Sequence, residues 1–114
     1  MHLTRMSEAP AYDAPRHYGM HGYRVQGGEI SPFGSQVGVS VFAPGGGAEA
    51  SASPVDRVYV VVVGEIVLTC GGTDHTLREF DSCFIPAGEE RALANRATLP
   101  AILITVIPKA SPPR

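Results

Sequence analysis

Val58-Tyr-Val-Val-Val-Val63 is followed by Gly64-Glu65, then Ile66-Val-Leu-Thr-Cys70, then Gly71-Gly72-Thr73-Asp74. β-Branched residues with one tyrosine favour a pleated strand, and an apolar run of this kind suits a strand buried on both faces. Gly64-Glu65 breaks it. Ile66 to Cys70 reads as a second strand, and the glycine pair as a tight hairpin turn. Outward from this centre, His75 to Phe80 alternates and Asp81-Ser82 punctuates. Cys83-Phe-Ile85 runs apolar and Pro86-Ala-Gly88 turns again. Upstream, Val37, Val39 and Val41 share one face of a strand. Downstream, Ala101 to Ile107 is a last strong strand closed by Pro108. Short strands at spacings of about 8–12 residues indicate a sandwich or barrel. Breakers fall inside every potential crossover helix, so the pattern predicts an antiparallel all-β fold and disfavours a parallel α/β sheet.

The chain has 114 residues, with 44% hydrophobic and 18% charged. That length predicts a single domain over 1–114, with about 1–15 and 109–114 as loosely ordered ends. Nine basic against eleven acidic residues give a formal charge of -2. No basic patch calls for nucleic acid. The longest purely apolar run is the six residues Val58–Val63, far short of the about 20 needed to span a membrane. The N-terminal stretch shows no secretory signal, so a cytoplasmic location is expected, with Cys70 and Cys83 reduced and packed as small hydrophobes.

The middle of the chain resembles the cupin family of small double-stranded β-helix, or jelly-roll, barrels. That family's first motif is a Gly, five residues, His-x-His, three or four residues, a Glu, six residues and a Gly. Here Gly45 is followed after five residues by Ser51-Ala52-Ser53, then Arg57, then Gly64. The second motif is a Gly, five residues, Pro-x-Gly, two residues, His, three residues and Asn. Here Phe80 takes the first Gly place, Pro86-Ala87-Gly88 matches, Arg91 takes the His place and Asn95 matches. Ile66 to Leu77 supplies the hairpin between the motifs. The resemblance implies a jelly-roll barrel of the RmlC-like kind and, as cupins commonly form, a homodimer.

It also implies a metal held by the histidines and the glutamate of those motifs. Ser51, Ser53, Arg57 and Arg91 stand in the four places. Guanidinium has donors and no acceptor, and serine hydroxyls are poor ligands for a divalent transition ion. The expectation is therefore no metal and no cofactor. Two guanidiniums at about 5 Å repel by roughly 3 kcal/mol at an effective dielectric of about 20, so something must compensate them. One answer is an anionic ligand gripped by Arg57 and Arg91, with Ser51 and Ser53 as hydroxyl donors and Tyr59 beside them in a pocket walled by valines. A second is internal pairing of Arg57 with Asp56, Glu49 or Glu89, and of Arg91 with Glu89 or Glu90. A third is an outward-facing pair.

His2 lies on the N-terminal end, and His75 follows the glycine turn and is expected in solvent. His17 and His21, four apart, would share a helical face, but Gly19 and Gly22 oppose a helix. As part of an N-terminal strand residues 17, 19, 21 and 23 would share a face, and the resemblance implies an early strand near the barrel mouth. This nominates His21 and Tyr23 as acid–base candidates at the pocket, the alternative being a surface or partner-contact histidine. No nucleophile elbow, P-loop, dinucleotide fingerprint or Cys-x-x-Cys is present. The expected function is binding of a small, anionic, carboxylate-like molecule in the barrel. The alternatives are a metal-independent lyase, isomerase or epimerase that uses Arg57 and Arg91 to stabilise an anion, and a structural or regulatory dimeric module without a ligand.

Overall fold

A computed structural model describes residues 1–109; the rest of the C-terminal stretch expected to be loose lies outside the described residues. A 3-10 turn at Met6–Glu8 precedes nine strands: β1 Ala11–Tyr12, β2 His17–Gln26, β3 Ser35–Ala52, β4 Arg57–Val63, β5 Ile66–Cys70, β6 Thr73–Leu77, β7 Ser82–Ile85, β8 Glu90–Ala94 and β9 Ala101–Pro108. Every pairing is antiparallel. The main path runs β6-β5-β8-β3-β9-β4-β7, with β2 on β3 and β1 on β2. The sheet curls into the nearly closed jelly-roll barrel that the cupin resemblance implied.

β3 makes the curl. Its first half, Ser35 to Phe42, pairs with β9, and its second half, Gly47 to Ala52, pairs with β8. The bend between them carries Pro44-Gly45-Gly46. Gly46 crosses Gly19 of β2 so closely that a Cβ there would sit 2.2 Å from the Gly19 carbonyl oxygen. Only glycine allows two backbones to approach like this.

The predicted hairpin forms. Cys70 pairs with Thr73, and both intervening glycines have positive φ, as a two-residue primed turn requires. The neighbouring strand behaves differently from its sequence reading. Tyr59 and Val61 are buried, but Val58, Val60 and Val62 are only half-buried and Val63 is exposed. β4 is thus buried on one face. Its outward valines lie beside those of β3 and the isoleucines of β9, as in the row Val39, Ile104, Val60. The strand expected over His75–Phe80 ends at Leu77, and Phe80 sits at φ 68. It occupies the place where the family motif carries glycine, and the positive φ explains that preference.

The other motif residues hold the frame. Asn95 is 1% exposed. Its Nδ2 donates to the carbonyls of Phe42 and Leu99, and its Oδ1 accepts from the Ala97 N–H. That ties the β8–β9 loop to the bend of β3. Asp56 Oδ1 accepts from the Ala87 N–H, and Gly88 donates to the Ser53 carbonyl. The core is the inward face of the barrel. Phe42, Val61, Ile66, Leu68, Leu93 and Leu103 pack together there, with Cys70 and Cys83 against them. Among the described residues no helix is long and apolar enough to cross a membrane.

Candidate functional site

Inward positions follow from register, because residues directly opposite in adjacent strands share a face. Ser40 opposes Leu103, Gly38 opposes Thr105, and Thr105 opposes Tyr59. Ser51 opposes Arg91. Beyond the apolar core these positions surround a cavity of about 410 Å³, within the size range of small-molecule sites. Its apolar wall is Met20, Phe42, Leu93, Leu103 and Ile107. No valine lines it, contrary to the sequence expectation, because the alternation of β3, β4 and β9 turns most of their valines outward and Val61 packs into the apolar core instead.

All five residues proposed as ligand contacts (Ser51, Ser53, Arg57, Tyr59 and Arg91) line this cavity. Arg91 is 4% exposed. Its Nε donates to Tyr59 Oη at 2.9 Å, and its Nη1 donates to Ser51 Oγ at 2.7 Å and to the Ser51 carbonyl at 3.2 Å. Arg57 Nη1 donates to the same Tyr59 Oη at 3.4 Å. The two guanidiniums therefore converge on one phenol oxygen. Arg57 Nε is buried and has no acceptor.

Among the described residues neither arginine has a carboxylate partner; the ion pairs are Arg78–Glu65 and Arg96–Asp74. The internal pairing considered for Arg57 and Arg91 is absent, since the Asp56 carboxylate accepts from Ala87 instead. The outward-facing arrangement is excluded by the burial of Arg91. Among the described residues Asp13 is the one carboxylate in the lining; it is exposed and pairs with no cation there. Arg16 adds a third positive charge to the lining, and Arg24 a fourth. Arg24 donates to Gln36 Oε1 at 2.8 Å and stacks 5.0 Å from the Tyr12 ring. Tyr12 fills the space left by two glycines: a Cβ on Gly22 would lie 2.7 Å from its ring, and one on Gly38 3.0 Å from its hydroxyl.

The acid–base candidates His21 and Tyr23 do not line the cavity. They sit opposite Val41 and Val39 on the outer face. The reason is a bulge. Gly19 has φ 58, and the β2–β3 register shifts between Tyr18 and Met20. Alternation therefore reverses, so that His17, Met20 and Arg24 face inward while His21 and Tyr23 face out. His17 is the histidine in the cavity wall. Its Nδ1 lies 2.7 Å from the Pro15 carbonyl. Burial holds its imidazole below the ordinary value, and the charges of Arg91 and Arg57 act in the same direction against that hydrogen bond. A glycine inside a strand pattern marks a bulge, and that signal would have found His17. Burial raises the Cys70 and Cys83 thiols, so both remain protonated and weakly nucleophilic.

The donor set can be tested against the metal that the jelly-roll family implies. Two cationic forks face the cavity where lone pairs are needed. Among the described residues no three His, Cys, Asp or Glu side chains gather as a metal site. The residues present do not fit a divalent ion.

A family model described as "Cupin domain" matches residues 38–107. The chain belongs to the cupin family. This cupin is also 40% identical over 110 residues to Beta-D-galactosidase Rv1717 of Mycobacterium tuberculosis (strain ATCC 25618 / H37Rv), covering 94% of the chain and 93% of that relative. Among solved structures, the polyketide cyclase RemF from Streptomyces resistomycificus matches with a TM-score of 0.86 and 15% identity, over 99% of this chain and 82% of that one. An RmlC-like cupin from Shewanella frigidimarina NCIMB 400 matches with a TM-score of 0.78 and 19% identity, over 96% and 92%. At such identities the two structures speak for the cupin fold alone.

Proposed function

We propose that this cupin binds a small anionic molecule, with a carboxylate or similar oxyanion held by Arg57 and Arg91 and without a metal. One observation carries the reading: two guanidiniums meet inside the barrel at Tyr59 Oη with no acidic partner, and one buried Nε–H lacks an acceptor. An unsatisfied buried donor costs about 1–3 kcal/mol, and more when charged. A bound carboxylate removes that cost through short, charge-assisted hydrogen bonds. Ser51 and Ser53 complete the donor set.

Thermal unfolding against a panel of small carboxylates tests this. A ligand at 100 times its dissociation constant adds about 2.7 kcal/mol of stability, and that gain should vanish in Arg91→Met. No shift with any member of the panel removes the reading, as does one tightly held transition ion per chain in elemental analysis.

A second reading is galactoside hydrolysis, favoured by the 40% identity to a protein named a beta-D-galactosidase. Most glycoside hydrolases use two carboxylates flanking the bond. This cavity offers only Asp13, so the geometry favours anion binding. Release of nitrophenol from a nitrophenyl galactoside, abolished by Asp13→Asn, would reverse that preference. The reading includes a cytoplasmic protein, in keeping with its two free thiols. It also includes a homodimer formed through the outward valine and isoleucine face, which sedimentation as a monomer at micromolar concentration would contradict.

A further inference from the structure

The cavity's hydrogen-bonding capacity says more about its occupant than its charge does. Arg57 and Arg91 can only donate. Tyr59 Oη accepts from both of them, which uses its lone pairs and leaves its proton as a donor. Ser51 Oγ accepts from Arg91 and likewise keeps a proton to give. This side of the cavity is thus a cluster of donors suited to a carboxylate.

His17, like the exposed Asp13, departs from this pattern in the wall. A carbonyl can only accept, so the 2.7 Å contact with Pro15 requires Nδ1 to carry the hydrogen. In the neutral ring Nε2 is then an acceptor. A cavity of about 410 Å³ holds far more than an inorganic ion, since a water's share of the liquid is about 30 Å³. The ligand therefore has length beyond its charged head. An alkyl carboxylate would satisfy the arginines but leave the His17 acceptor, the exposed Asp13 carboxylate and the hydroxyls of Ser40 and Thr105 facing carbon. A ligand that also carries hydroxyl groups matches both kinds of wall.

Building on the anion-binding reading, we infer that the ligand is a polyhydroxylated carboxylate whose carboxylate sits on Arg57 and Arg91 and one of whose hydroxyls donates to His17 Nε2. His17 is then a specificity residue: it selects hydroxylated acids over alkyl acids of equal length.

Calorimetric titration of the full chain with gluconate and with hexanoate tests this. Both are six-carbon monocarboxylates; they differ in their hydroxyl groups. Gluconate should bind at least tenfold more tightly. His17→Phe should weaken gluconate by about 3- to 10-fold, the equivalent of one net hydrogen bond, and leave hexanoate unchanged. His17→Gln, which keeps an acceptor, should recover part of the loss. In the unmodified protein, the ¹⁵N resonance of His17 Nε2 should move on adding gluconate and not on adding hexanoate, a readout that needs no variant to fold. Equal affinities for the two acids, both lost in Arg91→Met, would overturn this inference and leave the anion-binding reading standing. Binding of neither acid would overturn both.

Discussion

Arginines meet two different environments in this protein. Near the hairpin, Arg78 and Arg96 lie at the surface, each beside a carboxylate. In the barrel, Arg57 and Arg91 turn inward, share a tyrosine hydroxyl and meet no carboxylate. Water screens the first pair of sites, so their partners matter little. The second pair has lost much of its hydration and hydrogen-bonds only to neutral groups, an arrangement that costs stability unless another charge arrives. Where a folded chain turns two cations into a cavity and pairs neither with a carboxylate, the unmet charge is the ground for proposing an anionic ligand.

The largest effect expected from this contrast is on binding. Arg91→Met should weaken a small carboxylate by about 10- to 100-fold, the range for hydrogen bonds to charged groups, as read by calorimetry. The same variant without ligand should match or exceed the parent in thermal stability, because an apolar side chain replaces an unpaired buried charge. A strong loss of stability in the ligand-free Arg91→Met protein would show that its bonds to Tyr59 and Ser51 already satisfy it, and the contrast would fail.

A smaller effect is expected at Arg57. Arg57→Met removes the orphaned Nε–H, so chemical denaturation of the ligand-free chain should give a gain of up to about 1 kcal/mol, within the usual cost of an unmet buried donor. Smaller again is the pH effect at His17, which faces Arg57 and Arg91 as well as Phe42. Its imidazole is held below the unfolded value, so the unfolded chain binds the proton more readily. This contribution is fully present above about pH 6.5, the unfolded value, and is lost as pH falls through the depressed folded value. The unfolding midpoint of the parent should therefore drop more than that of His17→Gln between about pH 7 and pH 5. At the bottom of the scale, Arg78→Ala should change stability by less than about 1 kcal/mol, in keeping with an exposed pair. A larger loss there would erase the distinction between surface and interior.

The fold was legible in the sequence to a large extent. Gly71-Gly72 predicts its hairpin because both central residues of that turn need positive φ, and the structure has them so. Pro86-Ala-Gly88 and Asn95 mark their motif because each holds the frame by a specific backbone bond. Arg57 and Tyr59 are two apart in the sequence, so simple alternation puts them on one face, and they touch. The reading of β4 as buried on both faces went too far. A valine run records strand preference, whereas burial depends on what packs against each side.

His21 and Tyr23 were misplaced for a different reason. Alternation carries a face assignment along a strand only while the strand is regular, and Gly19 interrupts it. The sequence by itself determined the strands, the turns and the presence of guanidinium groups at Arg57 and Arg91, because these follow from local backbone preference and side-chain chemistry. Tertiary structure alone decided that Arg57 and Arg91 meet without an acid and that His17 joins them. It also decided that most valines of β3, β4 and β9 face outward while Val61 packs in the core. Those facts depend on strand register, a bulge and a bend, through which residues far apart in the chain come to share one cavity.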